Sequence, residues 1–192
     1  MKSSVLTQLS VLLLEHLSNL RAIILLLIHG LWAFLLSLCN DFFAFGPIYF
    51  YLGGIFVILP AVRLDFARGF LCVVVTGCFL DAAFLTPFGF HVCGLVIALV
   101  ILHAAYDHGI LARRASFLLP ALIINLSFFL ALHIWYSLQI PEGGDILDSR
   151  ALTDFMCSQI LLVLSLRWLI QLYDEFLDLI GLSPPHTSSS VQ

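Results

Sequence analysis

Charge is scarce in this sequence. Only 10% of its 192 residues are Asp, Glu, Lys or Arg, whereas 61% are apolar. An average soluble domain carries about 25% charged residues, and one of this size could not cover so apolar an interior with so few of them. The mean hydropathy of +1.09 leads to the same conclusion. The composition therefore excludes an ordinary soluble domain and predicts an integral membrane protein with a single domain.

Several chemical signatures are also missing from the sequence. It contains no GxSxG, HExxH, GxGxxG or Walker A motif, so we predict no enzymatic activity. The five cysteines are odd in number and irregularly spaced, which favours small buried hydrophobes over a disulfide framework. The net charge of −4 includes no basic patch, which argues against nucleic acid as a partner. We predict no cofactor and no metal, because His103, Asp107 and His108 lack a second acidic helix to complete a site.

Long apolar segments make up most of the chain. A helix needs about 20 apolar residues to cross a bilayer, and segments of this kind predict an all-α bundle of about six transmembrane helices in contact with membrane lipids. Leucines at helical spacing before the first span predict a short N-terminal interfacial helix; the alternative is a first span that begins earlier and leaves Glu15 in lipid. The predicted bundle occupies residues 1–180, and a disordered cytoplasmic tail is predicted for residues 181–192. The predicted spans are 22–39, 42–62, 66–85, 88–106, 115–138 and 152–172.

The positions of the cations predict the orientation of the bundle. The predicted spans place seven of the eight Lys and Arg residues on one side, and Arg150 is the exception. Cytoplasmic loops are enriched in Lys and Arg. We therefore expect both termini in the cytoplasm and the 139–150 loop outside. The seven cations on the predicted cytoplasmic side are Lys2, Arg21, Arg63, Arg68, Arg113, Arg114 and Arg167.

Ionisable residues inside the spans are the first place to look for function in a membrane protein. Histidines 29, 91 and 133 are isolated in the sequence, and hydrogen bonding between helices is the expected role of each. Asp81 lies one helical turn from Gly77, so the pair predicts a stripe where another helix approaches closely. The alternative places Asp81 at the outer membrane interface. We assign the helix-packing and partner interface to Gly69, Gly77, Asp81, Pro87, Gly89 and Gly94.

At this stretch the chain resembles the family of rod-shape-determining MreD proteins. The recognisable core of that family is a Gly, an Asp four residues later, and a Gly eight residues after the Asp. Here these residues are Gly77, Asp81 and Gly89, with Pro87 in the variable turn. The motif covers about a tenth of the chain, and length, hydropathy and span order make up the rest of the resemblance. The Ser- and Pro-rich tail is longer than in the family.

The resemblance implies a fold similar to the substrate-binding subunits of energy-coupling-factor transporters. It implies a multi-pass protein of the bacterial cytoplasmic (inner) membrane with no catalytic activity. Its expected role is a scaffold in cell-wall elongation, where peptidoglycan synthesis determines cell shape. The implied partners are MreC, the MreB filament and the elongation glycosyltransferase and transpeptidase. The alternative function is a vitamin-binding membrane subunit of an energy-coupling-factor transporter.

Overall fold

The computed structural model describes residues 2–43, 49–84, 86–111, 117–139 and 149–182, with the backbone alone for residues 2–14 and 149. Five helices in this part of the chain are long and apolar enough to cross a membrane. Leu27, Phe34 and Leu164 on their outer surfaces are 69%, 63% and 69% exposed. Hydrocarbon is the solvent that suits such a surface, so the chain is a multi-pass helical membrane protein. The helices are α1 Lys2–Phe42, α2 Ile55–Arg63, α3 Phe66–Ala83, α4 Phe90–Asp107, α5 Leu118–Gln139 and α6 Ser149–Leu179.

Three of the arginines define one end of the bundle, here called the arginine end. Arg63, the last residue of α2, forms an ion pair with Asp174 of α6. Arg68 in the first turn of α3 donates a 2.8 Å hydrogen bond from Nε to Asn19 of α1. The backbone carbonyl of Arg21 accepts a hydrogen bond from α6 at the same end. These arginines therefore meet at one end, as the predicted alternation of spans requires.

The opposite end of the bundle is here called the tyrosine end. Tyr136 of α5 donates a 3.0 Å hydrogen bond to the carbonyl of Phe84, just after α3. The ring of Tyr49 lies 6.1 Å from the Phe84 ring, and Arg150 lies nearby in the first turn of α6. Helices α1, α3 and α5 thus run from the arginine end to the tyrosine end, and α4 and α6 run back. Arg113, Arg114 and loop residues 140–148 lie outside the described residues, as does the side chain of Lys2.

The predicted second span, residues 42–62, is wrong as a continuous helix. In the structure α1 extends to Phe42, and only Ile55–Arg63 is helical in the segment that follows. A nine-residue helix reaches about 14 Å, less than half of a bilayer core. The non-helical residues 49–54 cover the remaining distance from the tyrosine end, and the chain crosses the bundle as a broken segment. Gly54 permits this path because a Cβ there would lie 2.4 Å from the carbonyl oxygen of Ala121 in α5.

The broken segment lies mostly in the centre of the bundle, where its backbone is shielded from water and lipid. Residues 51–61 are all buried. Non-helical backbone is tolerated at membrane depth only where protein supplies its hydrogen bonds. Polar side chains of the surrounding helices do so. The bonds are Phe50 N to Asn40 Oδ1 at 2.8 Å, Tyr49 N to Asp154 Oδ1 at 2.8 Å, Tyr51 N to Ser158 Oγ at 3.0 Å and Gly54 N to Asn125 Oδ1 at 3.4 Å.

Two further expectations about the ends of the chain need correction. The predicted interfacial helix and first span are a single 41-residue helix, α1, because no Gly or Pro interrupts the segment between them. The predicted disordered tail begins too early. Gly181 adopts a left-handed φ of 70°, and the Leu182 amide donates to the Leu177 carbonyl at 2.8 Å, which caps α6. The remainder of the predicted tail, residues 183–192, lies outside the described residues.

Candidate functional site

The Asp81 carboxylate, in the last turn of α3, binds the start of α4. Its Oδ1 accepts hydrogen bonds from the backbone N–H of His91 at 2.8 Å and from the hydroxyl of Thr86 at 2.9 Å. Its Oδ2 accepts from the backbone N–H of Gly89 at 2.7 Å. The first N–H groups of a helix have no partner within that helix. Asp81 therefore caps α4 from the neighbouring helix, in a site where its own side chain is 3% exposed.

The His91 side chain completes this cluster. Its Nδ1 lies 2.8 Å from Oδ1 of Asp81, and because a carboxylate only accepts, Nδ1 carries the proton. Nε2 has no hydrogen-bond partner among the described residues. The ring of Phe128 in α5 stacks on the imidazole at 6.0 Å, and the ring of Tyr51 lies 5.9 Å away. The expectation of an interhelical hydrogen bond therefore holds for His91, and its partner is Asp81.

Two glycines allow α3 and α4 to come close enough for this contact. A Cβ on Gly77 would lie 2.7 Å from Cα and 2.8 Å from the backbone N of Val92 in α4, so only hydrogen fits at that position. Gly89 has a φ of 97°, in the left-handed region that other residues rarely adopt. This conformation turns the chain so that the Gly89 amide faces Asp81. The three residues that carry the family resemblance thus form one contact within the bundle.

The other predicted interface residues have different structural roles. A Cβ on Gly69 would make ordinary contacts of 3.5 Å or more, the nearest with the Pro60 carbonyl oxygen. At Gly94 the ring of Phe128 occupies the space of the missing side chain, 2.6 Å from the position that a Cβ would take. Pro87 is exposed in the turn, where its carbonyl accepts from the amide of Phe90 at 3.0 Å.

The other histidines within the predicted spans, 29, 103 and 133, do not join the Asp81 cluster. His29 of α1 lies 3.1 Å from the Thr76 hydroxyl of α3 through Nδ1, and it is 1% exposed. His133 stacks on Phe129 one turn earlier in α5, at 6.1 Å. His103 lies edge-on to Phe66 at 5.2 Å near the arginine end. No group of three potential metal ligands occurs within the residues that the structure describes.

The sequence analysis missed the side chains that hold the broken segment. Asn125 is fully buried in α5, and Ser158 is fully buried in α6. One signal was available in the sequence: Gly53 and Gly54 interrupt the second apolar run, while isolated polar residues lie within the fifth and sixth. A chain that must satisfy unpaired backbone in lipid places polar side chains opposite a break of that kind.

The sequence analysis also missed a cavity of about 390 Å³ at the tyrosine end. It lies between α5, α6 and residues 49–51, and aromatic and polar side chains line most of it. A larger cavity of about 550 Å³ between α4 and α5 has an almost entirely apolar lining, so it offers little to select a polar ligand. The aromatic and polar side chains of the smaller cavity are Tyr49, Tyr51, Phe129, His133, Tyr136, Arg150 and Asp154.

Fold and site together describe a multi-pass helical membrane protein, with a broken crossing at the centre of the part of the chain that the structure describes. No protein-family model, no curated protein and no solved structure matches this chain. Its function is therefore inferred from the contacts within the bundle.

Proposed function

We propose that this chain is a non-enzymatic scaffold of the bacterial cell-elongation complex, similar to the MreD proteins. One observation carries the proposal: Gly77, Asp81 and Gly89, the residues of the resemblance, form a single contact between α3 and α4. Gly77 permits the close approach of the two backbones, Asp81 caps α4, and Gly89 makes the left-handed turn. The three residues of the motif take part in the same contact, and this supports the resemblance.

The motif lies inside the bundle, and this constrains how it serves a scaffold. Asp81 is buried and its carboxylate is engaged by α4, so it is not available to a partner. We propose that the motif fixes the shape of the α3–α4 hairpin, and that partners contact the outer surface of that hairpin. MreC, MreB and the elongation glycosyltransferase and transpeptidase are the partners that the resemblance implies.

Depletion and rescue in the rod-shaped native host test this role. Depleted cells should become round with unchanged vitamin uptake. Gly77→Leu should fail to restore rods, since the new side chain meets the Val92 backbone. Gly30→Leu is the matched control, because nothing lies within 4 Å of a Cβ at Gly30 in α1. Mass spectrometry of proteins that co-purify with the wild-type chain should detect elongation proteins. Depleted cells that keep their rod shape would overturn the proposal.

We further propose the bacterial cytoplasmic membrane as the location, with the arginine end and both termini in the cytoplasm. The grouping of Arg21, Arg63 and Arg68 at one end supports this orientation through the positive-inside rule. A reporter that is active only outside the cytoplasm should be active when fused at Glu142 and silent at the C-terminus. The reverse pattern would refute the orientation.

A vitamin-binding subunit of an energy-coupling-factor transporter is the second candidate. The cavity at the tyrosine end favours it, because aromatic and polar side chains converge there as a small-molecule site requires. The same depletion experiment separates the two functions. Cells that keep their rod shape but require a vitamin supplement would support the transporter subunit.

A further inference from the structure

The walls of the cavity at the tyrosine end are aromatic on several sides. Tyr49 of the broken segment and Phe129 and Tyr136 of α5 line it, and Tyr51 borders it but is itself only 1% exposed. Its volume of about 390 Å³ falls within the range of roughly 300–1,000 Å³ typical of small-molecule sites. Walls of this composition bind a planar ring through stacked and edge-on contacts.

These aromatic walls are held in place by contacts outside the cavity. The Tyr51 and Tyr49 rings pack on Phe84 at centroid distances of 5.8 and 6.1 Å. The hydroxyl of Tyr136 is fixed by its hydrogen bond to the Phe84 carbonyl. Because the rings are oriented before any ligand arrives, little conformational entropy is lost on binding.

Among its lining residues the cavity has one cation, Arg150, and one carboxylate, Asp154. Arg150 is exposed in the first turn of α6, and its guanidinium makes no hydrogen bond or ion pair within the described ranges. Asp154, one turn further into the bundle, is buried and accepts from the Tyr49 amide at 2.8 Å. A guanidinium matches the two oxygens of a carboxylate, so a ligand carboxylate would bind near Arg150 and away from Asp154.

We propose that this cavity binds a small planar aromatic carboxylate, with its ring against Tyr49, Phe129 and Tyr136 and its carboxylate on Arg150. The inference goes beyond the scaffold role and depends on the cavity alone. It can fail while the scaffold proposal stands, because binding is measured on the purified chain and cell shape is not involved.

The test is isothermal titration of the full chain in nanodiscs of phosphatidylcholine, a lipid without net charge. The probe is naphthalene-2-carboxylate, and its neutral analogue is naphthalene-2-carboxamide. Wild-type protein should bind the carboxylate roughly tenfold or more tightly than the amide, as a charge-assisted hydrogen-bonded pair provides. Arg150→Gln should remove this preference, and Tyr136→Ala should weaken both ligands.

Arg167→Gln is the matched control. Arg167 is exposed on the same helix, and it lies about 25 Å along the axis from Arg150. This variant should bind both probes like wild type. Absence of saturable binding to wild type, or a carboxylate preference that survives Arg150→Gln, would overturn the proposal. So would loss of binding of both the carboxylate and the neutral amide when phosphatidylglycerol replaces part of the phosphatidylcholine, since a lipid headgroup would then occupy the site.

Discussion

Replacing Gly77 by Ala tests the contact between α3 and α4 with the smallest possible change. The added methyl group would lie 2.7 Å from Cα of Val92, whereas ordinary Cβ contacts begin at 3.4 Å. The two nearest atoms belong to the Val92 backbone, so no side-chain rotation relieves the overlap. The two helices must therefore separate by about 0.7 Å at this position.

The energy of that separation has two parts. Overpacking of a tight interface typically costs about 1–3 kcal/mol. Separation also lengthens the bonds from Asp81 to the amides of Gly89 and His91, now 2.7 and 2.8 Å. Against this, Ala is a better helix former than Gly by about 1 kcal/mol. We expect Gly77→Ala to lower the free energy of unfolding by about 1–3 kcal/mol.

The control substitution is Gly30→Ala in α1. A Cβ at Gly30 has nothing within 4 Å, so only the helix propensity changes, and stability should stay constant or rise by up to about 1 kcal/mol. Both variants are measured by reversible denaturation in mixed micelles, monitored by tryptophan fluorescence. Equal unfolding free energies for the two variants would refute the close approach of α3 and α4.

Three further outcomes follow from the structure. Asp81→Asn should destabilise the protein less than Asp81→Leu in the same denaturation assay, because the amide keeps one acceptor oxygen and leucine keeps none; equal losses would exclude capping of α4. Gly54→Ala should cost more than Gly77→Ala, since its Cβ would meet the Ala121 oxygen at 2.4 Å; near-wild-type stability would contradict the buried path of the broken segment. Partial burial raises the pKa of Asp65, but the hydrogen bond and charge of Arg68 outweigh this and leave the pKa below its usual 3.8. The charged cap therefore stabilises α3 fully above pH 3.8 and loses its effect as the pH falls through the lowered pKa, so Asp65→Asn should reduce the melting temperature more at pH 6 than at pH 2.5. A reduction of equal size at both pH values would refute the role of the charge.

The structure changes the interpretation of the Asp81 motif. From the sequence, Asp81 faces either a helix of this bundle, a partner or the membrane interface. In the structure its carboxylate faces α4. Spacing alone does not distinguish these cases, because the depth of a residue along a helix says nothing about which neighbour packs on that side.

The sequence by itself determined the membrane location and the positions of three spans, because both depend on interactions between residues close together in the chain. Its apolar composition requires hydrocarbon as solvent, and segments of about 20 apolar residues can satisfy their backbone in lipid only as helices. The observed α3, α4 and α5 accordingly lie on the predicted spans 66–85, 88–106 and 115–138. Helix formation in these spans depends on bonds between residues four apart, so it can be predicted from the sequence.

The broken crossing and the cavity were decided by tertiary structure. The apolar run 42–62 has the composition of a span, yet its residues 49–54 are not helical. Their backbone is instead satisfied by Asn40, Asn125 and Ser158, side chains from three other helices. Hydropathy averages over neighbours along one segment, whereas the broken path of residues 49–54 depends on partners as far as 109 residues away in the chain. The cavity at the tyrosine end arises in the same way, because its walls come from three segments that only folding brings together.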